Sequence, residues 1–179
     1  MRVSDLRPDL VNSAPARVKD RAHARTFFMS SHWEILSELR GMSLAEKQRA
    51  LIEKFRVIED AHERMSAIVA RGKKWPEPAA EERTERSRVS GCVSRVWLLG
   101  SCEKGRCHFR MAADSPLVKG LAALICELYD GAAAEEIAQT EPEIIDALGL
   151  ARMLSPTRLN GLTSVRRCIR EFAENQGTP

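Results

Sequence analysis

Val96-Trp97-Leu98-Leu99-Gly100-Ser101-Cys102-Glu103-Lys104-Gly105-Arg106-Cys107-His108-Phe109-Arg110-Met111 changes its periodicity halfway along. The first four residues form a continuous apolar run, the pattern of a strand covered on both faces. In the last five, Cys107, Phe109 and Met111 alternate with His108 and Arg110, as in a strand buried on one face. Glu103-Lys104-Gly105-Arg106 between them is turn chemistry, so the stretch reads as a β-hairpin within a strand region from Val89 to Ala113.

Outward from the hairpin the periodicity becomes helical. Downstream, Ser115-Pro116 supplies an N-cap followed by proline at the first helical position. Leu117, Leu121, Leu124, Ile125 and Leu128 form the stripe of that helix, and Asp130-Gly131 ends it. Two short helices are predicted around Ala133 to Gln139 and Glu141 to Leu148, the second with a capping box of Thr140 and Glu143. Ser155-Pro156 opens a last helix, with Leu159, Leu162, Val165, Ile169 and Phe172 facing inward. Upstream, Ser43 and Glu46 match a capping box. Leu51, Phe55, Ile58, Met65 and Val69 then recur at helical spacing up to a stop at Gly72. Lys73 to Arg88, rich in charge and carrying Pro76 and Pro78, is predicted to be an exposed connector. Helix, hairpin and further helices define an α+β domain over 42–179, with helices packed against a small antiparallel sheet.

Residues 1–41 differ in kind. Arginines alternate with aspartates, and Pro8 and Pro15 interrupt any long helix, so this extension is predicted to be loosely ordered. Asp5, Asp9 and Asp20 count against a transit peptide. Translation beginning at Met42, directly before the Ser43 cap, is a further reading.

The composition excludes several function classes. At 179 residues the chain can bury a core without metals or disulfides. A net charge of +3 and 5 % aromatic residues give little basis for a nucleic-acid surface or a base-stacking platform. No apolar run approaches the roughly 18 residues of a membrane span. The opening residues carry no secretory pattern, so the five cysteines are read as thiols of a reducing cytoplasm. There is no P-loop, dinucleotide fingerprint, G-x-S-x-G or H-E-x-x-H.

What chemistry remains lies with a few residues. Cys92 follows Gly91, which permits a tight turn, so its thiol can stand at the tip of a loop entering a strand. Arg88 and Arg95 lie close by in sequence, and nearby cations favour the reactive thiolate. Position alone leaves both a functional thiol and a packing cysteine open. Arg158, in the first turn of the last helix, opposes the helix dipole. It calls either for a salt bridge or for an anionic sulfur nearby, and Lys119 poses the same question. Asp114 before Ser115-Pro116 suits a helix N-terminus. Cys102, Cys107 and His108 flank the hairpin turn, but His108 and Cys107 should point to opposite faces, which argues against a metal site. Cys126 and Cys168 fall on or beside apolar stripes.

Four ordered motifs carry a resemblance. Arg83 to Trp97 (RTERSRVSGCVSRVW), Ala113 to Leu121 (ADSPLVKGL), Leu128 to Gly131 (LYDG) and Leu154 to Leu162 (LSPTRLNGL) resemble the SufE/CsdE family of Fe–S metabolism proteins, from about Met42 onward. The resemblance implies an α+β fold shared with IscU-type cluster scaffolds. It implies a partner, a pyridoxal-phosphate cysteine desulfurase of the SufS or CsdA type, and a downstream Fe–S scaffold or other sulfur recipient. It matches Cys92, within Gly91-Cys92-Val93-Ser94, to the family's persulfide-accepting cysteine. Asp114 matches its loop aspartate and Arg158 the arginine near the acceptor, with both as latches for a loop that shields and then presents the thiol. Met153 stands where the family often has a polar residue. The implied role is that of a sulfur acceptor and desulfurase activator, not a free-standing enzyme, and the cofactor stays with the partner. An IscU-like scaffold is the alternative function.

Overall fold

The computed structural model describes residues 41–176, so the extension over 1–40 and the last three residues lie outside the described residues. The elements run α1 (Leu44–Arg56), α2 (Ala61–Gly72), a 3-10 turn (Ala80–Glu82), β1 (Val96–Glu103), β2 (Arg106–Ala113), α3 (Pro116–Tyr129), β3 (Ala132–Ala133), α4 (Ala134–Gln139), α5 (Ile144–Ala147), a second 3-10 turn (Leu150–Met153) and α6 (Pro156–Gln176). This is the α+β architecture predicted from the hairpin. The sheet has three antiparallel strands in the order β1-β2-β3.

The hairpin closes through Lys104 and Gly105, both at positive φ (52° and 75°), the two-residue turn whose twist matches that of the strands. Pairing runs from Val96 opposite Ala113 to Glu103 opposite Arg106. One face carries Val96, Leu98, Phe109, Met111 and Cys107, all buried. Phe172 of α6 lies over Gly100 on this face and meets Phe109 edge-on, with ring centroids 5.6 Å apart. The apolar run at the start of β1 is covered less fully than expected: Trp97 and Leu99 on the other face remain partly exposed. Arg95 lies across Trp97 at 5.6 Å, and Arg88 bridges to it.

α3 is the centre of the molecule. It packs on β2, α1, α2 and α6, and from Gly120 to Tyr129 every residue is buried. A helix enclosed on all sides loses the polar face that a surface helix keeps. Its one carboxylate there, Glu127, is held by Arg71 of α2 through a fork of two hydrogen bonds. α2 and α3 cross where Gly72 meets Gly120: a Cβ on Gly72 would lie 2.4 Å from the Gly120 Cα. Gly72 therefore does more than end its helix, because its missing side chain sets the interhelical distance. At the end of α3, Asp130 accepts from the Phe109 backbone N–H at 3.1 Å and pairs with His108 Nδ1 at 3.2 Å, tying helix to hairpin.

Three local expectations are corrected. The helix predicted from Ser43 to Gly72 is two helices, because Asp60 caps a new start by accepting from the N–H groups of His62 and Glu63. The Ser43–Glu46 capping box itself is present. The connector is not merely exposed: Trp75 is buried and donates to the Phe109 carbonyl at 3.2 Å, while the Pro76 carbonyl accepts from Met111. Thr140 does not cap a helix start; its carbonyl accepts from Tyr129 Oη (2.8 Å) and Arg166 (2.7 Å) and closes α4 instead.

Candidate functional site

Cys92 lies in the irregular segment between Val89 and Val96, outside any helix or strand. Two features shape this turn. Gly91 has φ +89°, a conformation that L side chains rarely adopt, and a Cβ there would lie 2.8 Å from Ser164 Oγ. The base of the turn is closed by Arg95 and Asp114: the carboxylate accepts from Arg95 Nε at 2.6 Å, and the Asp114 N–H donates to the Arg95 carbonyl at 3.1 Å.

The turn rests on α6. The Cys92 thiol donates to the carbonyl of Gly161 at 3.4 Å. Gly161 leaves room for the sulfur, since a Cβ at that position would lie 3.4 Å from Sγ. Gly161, Ser164 and Cys168 recur at about one-turn intervals and form the face of α6 beneath the turn. Cys92 is half-buried there, and its neighbour Val93 projects outward with 80 % of its surface exposed.

Burial raises the Cys92 pKa above the ordinary thiol value, because desolvation disfavours the thiolate; the Arg167 cation opposes that rise. Cys168, more deeply buried, is pushed up to about 11, chiefly by burial, with Cys92 among the groups acting on it. The site thus holds a shielded, largely protonated thiol, with a cation on the supporting helix that favours ionisation.

The structure brings together Gly91, Cys92 and the Arg95–Asp114 pair, and it redistributes the other predicted residues. Arg88 and Arg95 do not serve the thiol: Arg88 pairs with Glu85, and Arg95 with Asp114. Asp114 acts on the turn through Arg95. Lys119 is engaged by Glu77 of the connector. Arg158 is exposed, one turn before Gly161, and makes no ion pair among the described residues, so the salt bridge that its position called for is not formed there. Ser94 is partly exposed and makes no side-chain hydrogen bond among the described residues. Met153 is partly buried in the 3-10 turn ahead of α6. Gly161, Ser164, Arg167 and Cys168 were missed as partners of the turn. The signal that could have found them was Gly161 itself, a glycine inside a helix, which carries a conformational cost and often marks a close approach.

Cys102 and Cys107 stand at the other end of β1, and His108 turns to the opposite face, toward Asp130, as the pleat requires. Among the described residues no three His, Cys, Asp or Glu side chains converge as a metal site, and no helix is long and apolar enough to cross a membrane.

Fold and site together define a small α+β protein that holds one thiol on a glycine-preceded turn against a helix. The model of the SufE family, the Fe–S metabolism associated domain, matches residues 49–173, and the chain belongs to that family. It is 37 % identical over 129 residues to an uncharacterized SufE-like protein of Rhizobium etli, covering 69 % of this chain and 87 % of that one. It is 32 % identical over 123 residues to an uncharacterized SufE-like protein of Synechocystis, covering 69 % and 77 %. The solution structure of a hypothetical protein from Thermus thermophilus shares the fold, with a TM-score of 0.61 at 22 % identity over 72 % of this chain and 93 % of that one.

Proposed function

We propose that this chain is the cytoplasmic partner of a pyridoxal-phosphate cysteine desulfurase. It accepts persulfide sulfur on Cys92, stimulates the desulfurase by clearing that sulfur, and passes it on to Fe–S cluster assembly. The observation that carries this reading is the placement of the thiol: half-buried, off any regular element, and tethered by a single long hydrogen bond to Gly161. Family membership supports the link to Fe–S metabolism.

In the transfer, the Cys92 thiolate attacks the outer sulfur of the persulfide on the partner's cysteine. The new S–S bond forms at Cys92, the old one breaks, and the partner's thiolate leaves with the electron pair. This is thiol–disulfide exchange with a persulfide as electrophile. Between encounters, burial against α6 keeps the thiol protonated and slow to oxidise. Swinging out from Gly161 toward the partner removes that restraint, and the Arg95–Asp114 pair marks the base about which the turn moves. The pyridoxal phosphate stays with the partner.

The test is incubation with a desulfurase and cysteine, followed by non-reducing tryptic mass spectrometry. The peptide Val89–Arg95 should gain one sulfur atom, and Cys92→Ser should keep the fold yet gain none. A sulfur adduct found mainly on another cysteine would reject the assignment.

A further inference from the structure

Cys102 and Cys107 occupy directly opposed positions of the hairpin, one pair in from the turn, with sulfurs 2.9 Å apart. The Cys107 carbonyl accepts from Gly131 N–H on the far side of β2, so its peptide groups face β3 and not β1. The Cys102–Cys107 pair is therefore of the non-hydrogen-bonded type, in which Cα atoms approach to about 4.5 Å and side chains come closest. That separation lies inside the range of about 4.4–6.8 Å over which a disulfide closes without moving the backbone.

The two thiols differ in access. Cys107 is fully buried, whereas Cys102 is partly exposed. The site lies at the opposite end of β1 from the Cys92 turn, and a strand of eight residues spans about 23 Å. Neither sulfur can take part in the Cys92 chemistry within one chain.

We propose that Cys102 and Cys107 form a second sulfur site, a dithiol that a small-molecule disulfide oxidises to a cross-strand disulfide independently of Cys92. The Cys102 thiolate attacks one sulfur of the oxidant, whose other half leaves as a thiolate, giving a mixed disulfide on Cys102. Cys107 then attacks the Cys102 sulfur, the second half of the oxidant leaves with the electron pair of the broken S–S bond, and the Cys107 proton passes to that departing thiolate. The protein loses two protons and two electrons, and one small disulfide becomes two thiols. Burial and the adjacent Cys102 hold Cys107 as the neutral, unreactive thiol, so the first attack falls to the solvent-facing Cys102. His108 takes no part, since it faces Asp130 on the other side of the sheet.

The cleavage pattern of the chain makes the test direct. Trypsin cuts after Lys104 and Arg106, between the two cysteines, and leaves Cys92 on a third peptide. The full chain is treated with oxidised glutathione, its remaining thiols are alkylated in denaturant, and the digest is mapped without reductant. Val96–Lys104 should be found joined to Cys107–Arg110, with near-complete loss of their separately alkylated forms, and dithiothreitol should restore both. Cys102→Ser should abolish the joined species and leave Cys107 open to alkylation; Cys107→Ser should leave Cys102 as the glutathione mixed disulfide. The same joined peptide should form in the Cys92→Ser chain, whatever becomes of sulfur transfer. Recovery of the two peptides separately, or of Cys102 joined to a different cysteine of this chain, would overturn the proposal.

Discussion

The reactivity of Cys92 is a balance between two neighbours. Withdrawal from water against α6 favours the neutral thiol, and Arg167 favours the thiolate. Since the folded pKa is raised, the thiolate fraction at neutral pH is below that of a free cysteine, and the rate of alkylation against pH should have its midpoint above the usual value of about 8.5. Removing the cation must move the midpoint further in the same direction. Arg167→Gln is therefore expected to slow iodoacetamide alkylation of Cys92 at pH 7 by about two- to tenfold, since one pKa unit is a factor of ten and the side chain is partly screened by solvent. Arg167 is 57 % exposed and also lies 3.8 Å from Glu171, which sets the effect toward the lower end. An unchanged pH profile would show that the thiol does not sense Arg167. Nothing near Cys92 in sequence pointed to this residue, because the electrostatic interaction joins a turn and a helix 75 positions apart.

Among the elements, α3 is buried from Gly120 to Tyr129, and its distance from α2 is set by two glycines. A Cβ on Gly120 would lie 2.8 Å from the Val69 Cα, a clash with backbone that no rotamer change relieves. Gly120→Ala should nevertheless gain up to about 1 kcal/mol in helix propensity. Overpacking costs more, about 1–3 kcal/mol, so the variant is expected to be less stable by about 1–2 kcal/mol in a urea denaturation series. An equal or higher midpoint would mean that the helices separate at little cost. The hairpin was legible from its turn chemistry and the period of two in β2, whereas the apolar run of β1 misled about its outer face, where Trp97 and Leu99 stay partly exposed. The break between α1 and α2 was not. Both helices present apolar residues at helical spacing, and the Asp60 cap separates them without disturbing that period.

For the molecule as a whole, the family match begins at residue 49, and the first described helix begins at Leu44 behind its own capping box. A chain starting at Met42 is therefore expected to melt within about 3 °C of the full chain, a stability difference below about 1 kcal/mol. It should also accept sulfur on Cys92 at an undiminished rate. Aggregation of the shortened chain, or a tenfold slower transfer, would assign 1–41 a part in the domain. The described residues that hold Cys92, from the end of β2 and from α6, are all retained in the shortened chain.

The glycine turn that carries Cys92 and the α+β order of elements could be read from the chain, because turns and hydrophobic periods are local properties that a short window of residues settles. The surroundings of the thiol were decided only by folding. The carbonyl of Gly161, the Arg167 cation and the engagement of Arg95 by Asp114 depend on how α6 and the end of β2 come to lie beside the turn. Arg95, a near neighbour of Cys92 along the chain, is claimed by another partner, while Arg167 from a distant helix acts on the sulfur. Electrostatic and packing forces follow distance in space and not along the chain.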